Sequence, residues 1–190
     1  MHKFGKKENN QREDRRIRRT KNLLKQAMIE LILEKEYEDI SVQSIIDRAD
    51  VGRTSFYAHF RSKEDLLLQN LDDIENIFKP EDDKEHDQNI NDFSLMIFRH
   101  IEENWKLARL LLGNPKMPVV RNHVQAILLK YYKNQLQIAF DKKKTTIEIE
   151  GAAVVFSAAL LSLILWWLSM KKPVSHDIMH ELFLKHIRNI

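Results

Sequence analysis

No cysteine occurs anywhere in the chain. Disulfides, thiolate metal sites and a cysteine nucleophile are therefore excluded, and the absence suits a reducing compartment. Glycine and proline are scarce, with four of each among 190 residues. A strand-and-turn protein needs more, because tight hairpins depend on residues that tolerate unusual φ. The scarcity favours helices. Residues 1–20 hold no apolar run that would form a signal-peptide core, so a cytoplasmic location is expected rather than export. A glycine-rich phosphate loop, a nucleophile elbow and a carboxylate pair in supporting context are also missing. The expectation is a protein that is not an enzyme and holds no cofactor.

What is present is a soluble, helix-forming composition with an uneven charge. Hydrophobic residues make up 43% of the chain, enough for a buried core, and charged residues 31%. Residues 1–63 hold 15 Lys/Arg against 10 Asp/Glu, a balance of +5, whereas residues 64–190 hold 16 against 18, a balance of −2. The asymmetry is sharpest in residues 1–21, with nine basic and three acidic residues. A basic front on a near-neutral body fits a polyanion that touches only the front. A solvated, disordered tail fits the same numbers.

Periodicity divides the chain into helices. Residues 1–15 are polar and read as disordered; from Arg16 an amphipathic pattern places Leu24, Ala27, Leu31 and Ile32 on one face. The pattern breaks at Tyr37 to Ile40. Ser41 reads as the N-cap of a short helix carrying Val42, Ile45, Ile46 and Ala49, stopped by Asp50-Val51-Gly52. A second short helix is expected over Arg53 to Phe60, and Ser62 caps a longer one with Leu66, Leu67, Leu71, Ile74 and Phe78. Lys79 to Gln88 reads as a loop. Further helices are expected over Phe93 to Ile101, Trp105 to Leu112, Val119 to Phe140, Ile147 to Met170 and Ser175 to the end. The fold class is all-α with about nine helices. Residues 1–65, with the basic arm, form one expected unit and residues 66–190 a second, wholly helical one.

Two short helices joined by a three-residue turn, behind a longer supporting helix, have the layout of a helix-turn-helix. Val42, Ile45, Ala49, Val51, Phe56 and Phe60 would form the small core that fixes the angle between them. Arg53, Thr54 and Ser55 then open the helix that enters the major groove. The run Ser41-Val42-Gln43-Ser44-Ile45-Ile46-Asp47-Arg48-Ala49-Asp50-Val51-Gly52-Arg53-Thr54-Ser55 resembles the TetR/AcrR family of bacterial repressors, and its most diagnostic part is Phe56-Tyr57-Ala58-His59-Phe60 followed by Ser62-Lys63-Glu64-Asp65-Leu66. The likeness covers roughly residues 16–70. It departs from the family at Gly52, where Ser or Thr is common and would cap the helix, and at Ala58, which replaces a commonly polar residue.

That resemblance implies a dimeric regulator of double-stranded DNA, acting as a repressor on a palindromic operator and released by a small-molecule effector. It matches Ser41, Tyr57 and Lys63 to phosphate-gripping positions and Arg53, Thr54 and Ser55 to base-facing ones, with His59 near the backbone. Tyr57 as a core aromatic is the alternative, but Phe56 and Phe60 already supply the apolar face. Arg15, Arg16, Arg18 and Arg19 read either as an arm along the phosphates or minor groove, or as a solvated helix start.

Gly151 to Met170 is uncharged over twenty residues, the length of a bilayer span. A membrane-anchored regulator using 151–170 is therefore one alternative, opposed by Gly151, Ser157, Ser162 and Ser169 and by the nearby Glu148 and Glu150. The resemblance implies instead a homodimer through the last two helices, with Ala152, Phe156, Ala159, Leu163, Trp166, Trp167, Phe183 and Ile187 at the interface and no membrane. It also implies an effector cavity, for which Phe93, Met96, Phe98, His100, Trp105, Tyr131 and Phe156 are candidate lining residues or ordinary core. His176 and His180, four apart on a helix, raise the further alternative of a metal-dependent enzyme, without the glutamate base of zinc proteases. The expectation is that no metal is bound.

Overall fold

The computed structural model describes residues 4–77, 90–140, 145–171 and 173–187. Among them every regular element is helical: α1 (Phe4–Glu34), α2 (Val42–Ala49), α3 (Arg53–Tyr57), α4 (Lys63–Ile77), α5 (Ile90–Glu103), α6 (Trp105–Leu111), α7 (Pro118–Phe140), α8 (Thr146–Ser169) and α9 (His176–Ile187). A single 3-10 turn, Tyr37–Asp39, occupies the break after α1. The expected loop at Lys79–Gln88 lies outside the described residues, as do Phe78 and the basic turn 141–144. The chain packs as two compact units, Met1–Leu71 and Asp72–Ile190.

The first helix corrects the expected disorder over residues 4–15, since α1 begins at Phe4; residues 1–3 lie outside the described residues. Its first half carries no apolar stripe, so a search for periodicity misses it. Lys, Glu, Gln and Arg are nonetheless good helix formers and extend the turn upstream of Arg16. From Leu24 onward the helix buries Leu24, Ala27, Met28, Leu31 and Ile32 and packs on α2, and the same unit buries Ile45, Ile46 and Ala49 of α2, Phe56, Phe60, and Leu66, Leu67 and Leu71 of α4. Each of the Leu, Ile, Met and Phe side chains contributes roughly 1.5–3 kcal/mol when withdrawn from water. Val42 and Val51, expected in this core, are half-buried at its edge. Arg48 ties α2 to α1 through a two-pronged ion pair with Glu34, at 2.9 and 2.7 Å.

In the second unit α7 and α8 form the main helical pair, and α9 lies against α5. Helix α8 opens on a reciprocal cap, with Thr145 Oγ1 accepting from the Glu148 amide and the Glu148 carboxylate accepting from the Thr145 amide. By length and composition α8 is apolar enough to cross a membrane. Here it turns Ile149, Ala153, Ser157, Leu160, Leu161, Ile164, Trp167 and Leu168 into the fold. Trp167 is the hub: its ring meets Phe98 of α5 and Trp105 of α6 edge-on, at 5.7 and 5.0 Å between centroids. Its indole N–H donates to Val174 O at 3.0 Å, fixing the link into α9.

Candidate nucleic-acid interface

Two devices set the geometry of α2 and α3. Ser41 and Ser44 cap α2 reciprocally, each hydroxyl accepting from the other residue's amide at 3.0 and 3.1 Å. Sequence reasoning found Ser41 but missed Ser44, because the third position of such a box is usually Glu or Gln. The turn into α3 bends at Asp50, whose φ of 51° is left-handed, a conformation Asp tolerates better than most residues. Gly52 stands at the start of α3 with no side-chain cap, its carbonyl accepting from the Ser55 amide at 2.9 Å.

Helix α3 spans Arg53–Tyr57, shorter than the expected Arg53 to Phe60, because the chain turns at Ala58 and His59. Phe56 is fully buried and stacks obliquely on Phe60 at 5.8 Å. Arg53, Thr54 and Tyr57 are exposed and Ser55 is half-buried. The Arg53 guanidinium lies 5.7 Å from the centre of the Tyr57 ring, and that ring is 49% exposed, so one face of α3 presents a cation, a hydroxyl and a phenol to solvent. Ser41 is exposed at the start of α2, and its capping role leaves the hydroxyl proton for another acceptor. His59 is half-buried, edge-on to Phe60 at 6.4 Å.

Lys63, matched to a phosphate-gripping position, turns its ammonium toward the 3-10 turn. Its ammonium donates to Tyr37 O at 2.8 Å, Ile40 O at 2.7 Å and Glu38 O at 3.3 Å, and lies 4.4 Å from the Tyr37 ring centre. All three ammonium protons are thereby directed at backbone carbonyls of the 3-10 turn. The Tyr37 phenol beneath it is pushed up to about 12, first by burial and then by Glu64 and Glu38.

In the second unit the expected cavity residues fall into two aromatic groups. Phe93 stacks on Tyr131 at 3.5 Å and meets Tyr132 edge-on, and Tyr132 in turn touches Phe156 at 5.4 Å. Phe98 and Trp105 belong instead to the group around Trp167, while Met96 and His100 are half-buried on α5. Burial holds the His100 imidazole below its ordinary value. The Tyr132 hydroxyl is buried without a hydrogen-bond partner among the described residues, and its pKa is raised by burial.

Of the expected interface residues, Trp167, Phe183 and Ile187 are buried within the single chain. Ala152, Phe156, Ala159 and Leu163 are half-buried, and Trp166 is exposed. The outward face of α8 also carries Val154 and Val155, which sequence reasoning did not separate from their neighbours. His176 and His180 turn to different partners: the first contacts Glu102, the second meets Ser94 Oγ at 2.9 Å. Among the described residues no group of three or more metal-ligating side chains converges.

A buried three-helix frame that holds a short, polar helix outward defines a helix-turn-helix head, here joined to a separate helical unit. Comparison with known proteins agrees with this geometry. Residues 23–69 match the family described as bacterial regulatory proteins, tetR family, and residues 88–189 match that described as transcriptional regulator C-terminal region. The chain is a member of the TetR family of transcriptional regulators. Over 64 residues it is 34% identical to the HTH-type transcriptional regulator YxbF of Bacillus subtilis, a third of this chain (33%) but 17% of that protein. It is also 34% identical to the HTH-type regulator TcmR of Streptomyces glaucescens over 64 residues, 34% of this chain and 28% of TcmR. The chain thus matches under a third of the length of these relatives. Among solved structures, a TetR transcriptional regulator from Streptococcus agalactiae shares the fold at a TM-score of 0.67 and 24% identity, covering 94% of this chain and 98% of that one. NalD of Pseudomonas aeruginosa does so at 0.67 and 18%, covering 91% and 96%.

Proposed function

We propose that this protein is a cytoplasmic, sequence-specific DNA-binding regulator without enzymatic activity, acting as a repressor on a palindromic operator. The observation that carries the reading is the outward face of α3. Arg53, Thr54 and Tyr57 are exposed there while Phe56, on the same short helix, is fully buried and fixes its direction. Arg53 suits bidentate pairing with a guanine edge, and the Tyr57 hydroxyl suits a phosphate oxygen. The test is selection of random and genomic fragments on the purified protein, followed by footprinting at several salt concentrations. A palindromic site whose affinity falls steeply with salt is the expected result. No protection of any fragment at low salt would overturn it.

The same reading includes a homodimer formed through α8 and α9, supported by the solvent-facing Val154, Val155 and Trp166 on α8 and Ile178 on α9. Trp166→Glu is expected to yield monomers in sedimentation velocity without unfolding the chain, because the ring is 53% exposed. It also includes a small-molecule effector bound near the Phe93–Tyr131–Tyr132–Phe156 group. A buried hydroxyl without a partner there would gain a hydrogen bond from a polar ligand. Release of DNA by such a ligand from the parent, and not from a Tyr132→Phe variant, is the result expected.

A further inference from the structure

Arginines 15, 16, 18 and 19 of α1 are all exposed, and they precede Leu24, which is fully buried in the head. Among the described residues no ion pair engages any of them. Arg16 and Arg19, with Thr20 and Leu23, form one wall of a surface groove whose other wall is Asp50, Val51, Gly52 and Ser55, the turn and first residues of α3. Arg15 and Arg18 lie beside Arg19 on the adjoining face of the same helix. The helix that supports the head therefore brings guanidinium groups alongside the end of α3 that carries Arg53.

We infer that this stretch of α1 is a second DNA contact, a helical rail for the sugar–phosphate backbone that flanks the half-site read by α3. The inference rests on the regulator reading above. A polyanion is the partner that fits. Arg15 with Arg18, Arg15 with Arg19, and Arg16 with Arg19 crowd like charges at i,i+3 and i,i+4, which the spacing of Glu13 to Arg16 and of Asp14 to Arg18 offsets only in part. Phosphates remove that repulsion. The minor groove is not the target: a helix with its side chains is about 10–12 Å wide, against about 6 Å for that groove. The rise from Phe4 to Leu23 is about 30 Å, enough to follow about nine base-pair steps of flanking duplex.

The experiment compares the full chain with the variant Arg15→Gln/Arg16→Gln/Arg18→Gln/Arg19→Gln on two duplexes. One is the selected palindrome alone; the other adds about ten base pairs, one helical turn, on each side. The parent is expected to bind the longer duplex more tightly and the variant to bind both alike. The variant's plot of log K against log salt should be shallower by about 2 to 4 for each protomer bound, at about 0.9 for each phosphate that the arginines no longer neutralise. Its order of preference among sequences should not change, since phosphates carry no base information. An Arg16→Gln/Arg19→Gln variant isolates the groove pair and should show part of the loss, with a melting temperature no lower than the parent's for either variant. An unchanged salt slope and flank gain in the fourfold variant would overturn the inference while leaving the regulator reading standing. A changed sequence preference would overturn the assignment to phosphates. Failure of the parent to bind either duplex at low salt would overturn both readings together.

Discussion

Lys63 opens α4 with its ammonium 2.7 Å from the carbonyl of Ile40, twenty-three positions earlier in the chain. With the Tyr37 and Glu38 carbonyls completing the set, this one side chain closes the 3-10 turn between α1 and α2. Lys63→Met is therefore expected to lower stability by about 1–3 kcal/mol, because carbonyls that are partly buried lose a charged donor. Chemical denaturation measures it. Loss of DNA affinity with no loss of stability would show that the ammonium serves phosphate instead.

On the proposed reading, Arg53 faces a base and Tyr57 a phosphate from one short helix. Arg53→Ala should relax preference at one base pair by about 1–3 kcal/mol. Tyr57→Phe should weaken all sequences alike by about 0.5–1.5 kcal/mol. Competition binding against a library of single-base variants of the operator distinguishes the two.

Glycine is dispensable at one of these helix ends and required at another. Around Gly52 a Cβ would meet nothing within 4 Å, so Gly52→Ser should supply the missing cap and raise stability by a few tenths of a kcal/mol, roughly. A Cβ at Gly113 would lie 2.5 Å from the backbone oxygen of Arg109. Gly113→Ala should therefore cost about 1–3 kcal/mol. Paired urea melts compare them, and equal effects at both sites would contradict the geometry.

Acid should act through carboxylates in the head and an imidazole in the second unit. Hydrogen bonding from Arg48 holds Glu34 below its ordinary 4.5, and the Arg61 amide, followed by Gln69, holds Asp65 below 3.8. A depressed carboxyl stabilises the fold above its unfolded pKa, and that gain disappears as pH falls through the folded value. His100 is a base depressed by burial below 6.5. The unfolded chain takes up that proton first, so stability declines as pH drops below about 6.5 and levels off beneath the folded value. Thermal melts across this range should show an early decline that His100→Gln abolishes, and a later one below about pH 4.5 that it leaves intact.

Much of the architecture is legible in the sequence because its signals are local. The Ser41 cap, the Asp50–Gly52 turn and the Gly113-Asn114-Pro115 stop each act within a few residues, and α2, α6 and α7 begin or end within a residue or two of where those signals fall. Lys63 shows what local reading misses. Its partners lie more than twenty positions upstream and become neighbours only once α1, the 3-10 turn and α4 have packed. The length of α1 escaped for a different reason: good helix formers without apolar spacing leave no periodic trace. On α8 apolarity is nearly uniform, so nothing in the sequence distinguishes Trp166 from Trp167. The first is 53% exposed and the second fully buried.

With the third tryptophan, Trp105, replaced by Phe, that pair makes the chain its own optical probe. Neighbouring indoles, one in solvent and one locked in the interior, emit at different wavelengths and respond to different quenchers. Adding iodide or acrylamide should darken Trp166 first, while Trp167 stays bright until the helices around it separate. A second copy settling over α8 would shield the outer indole and leave the inner one unmoved. One emission spectrum would then distinguish self-association from unfolding without any label.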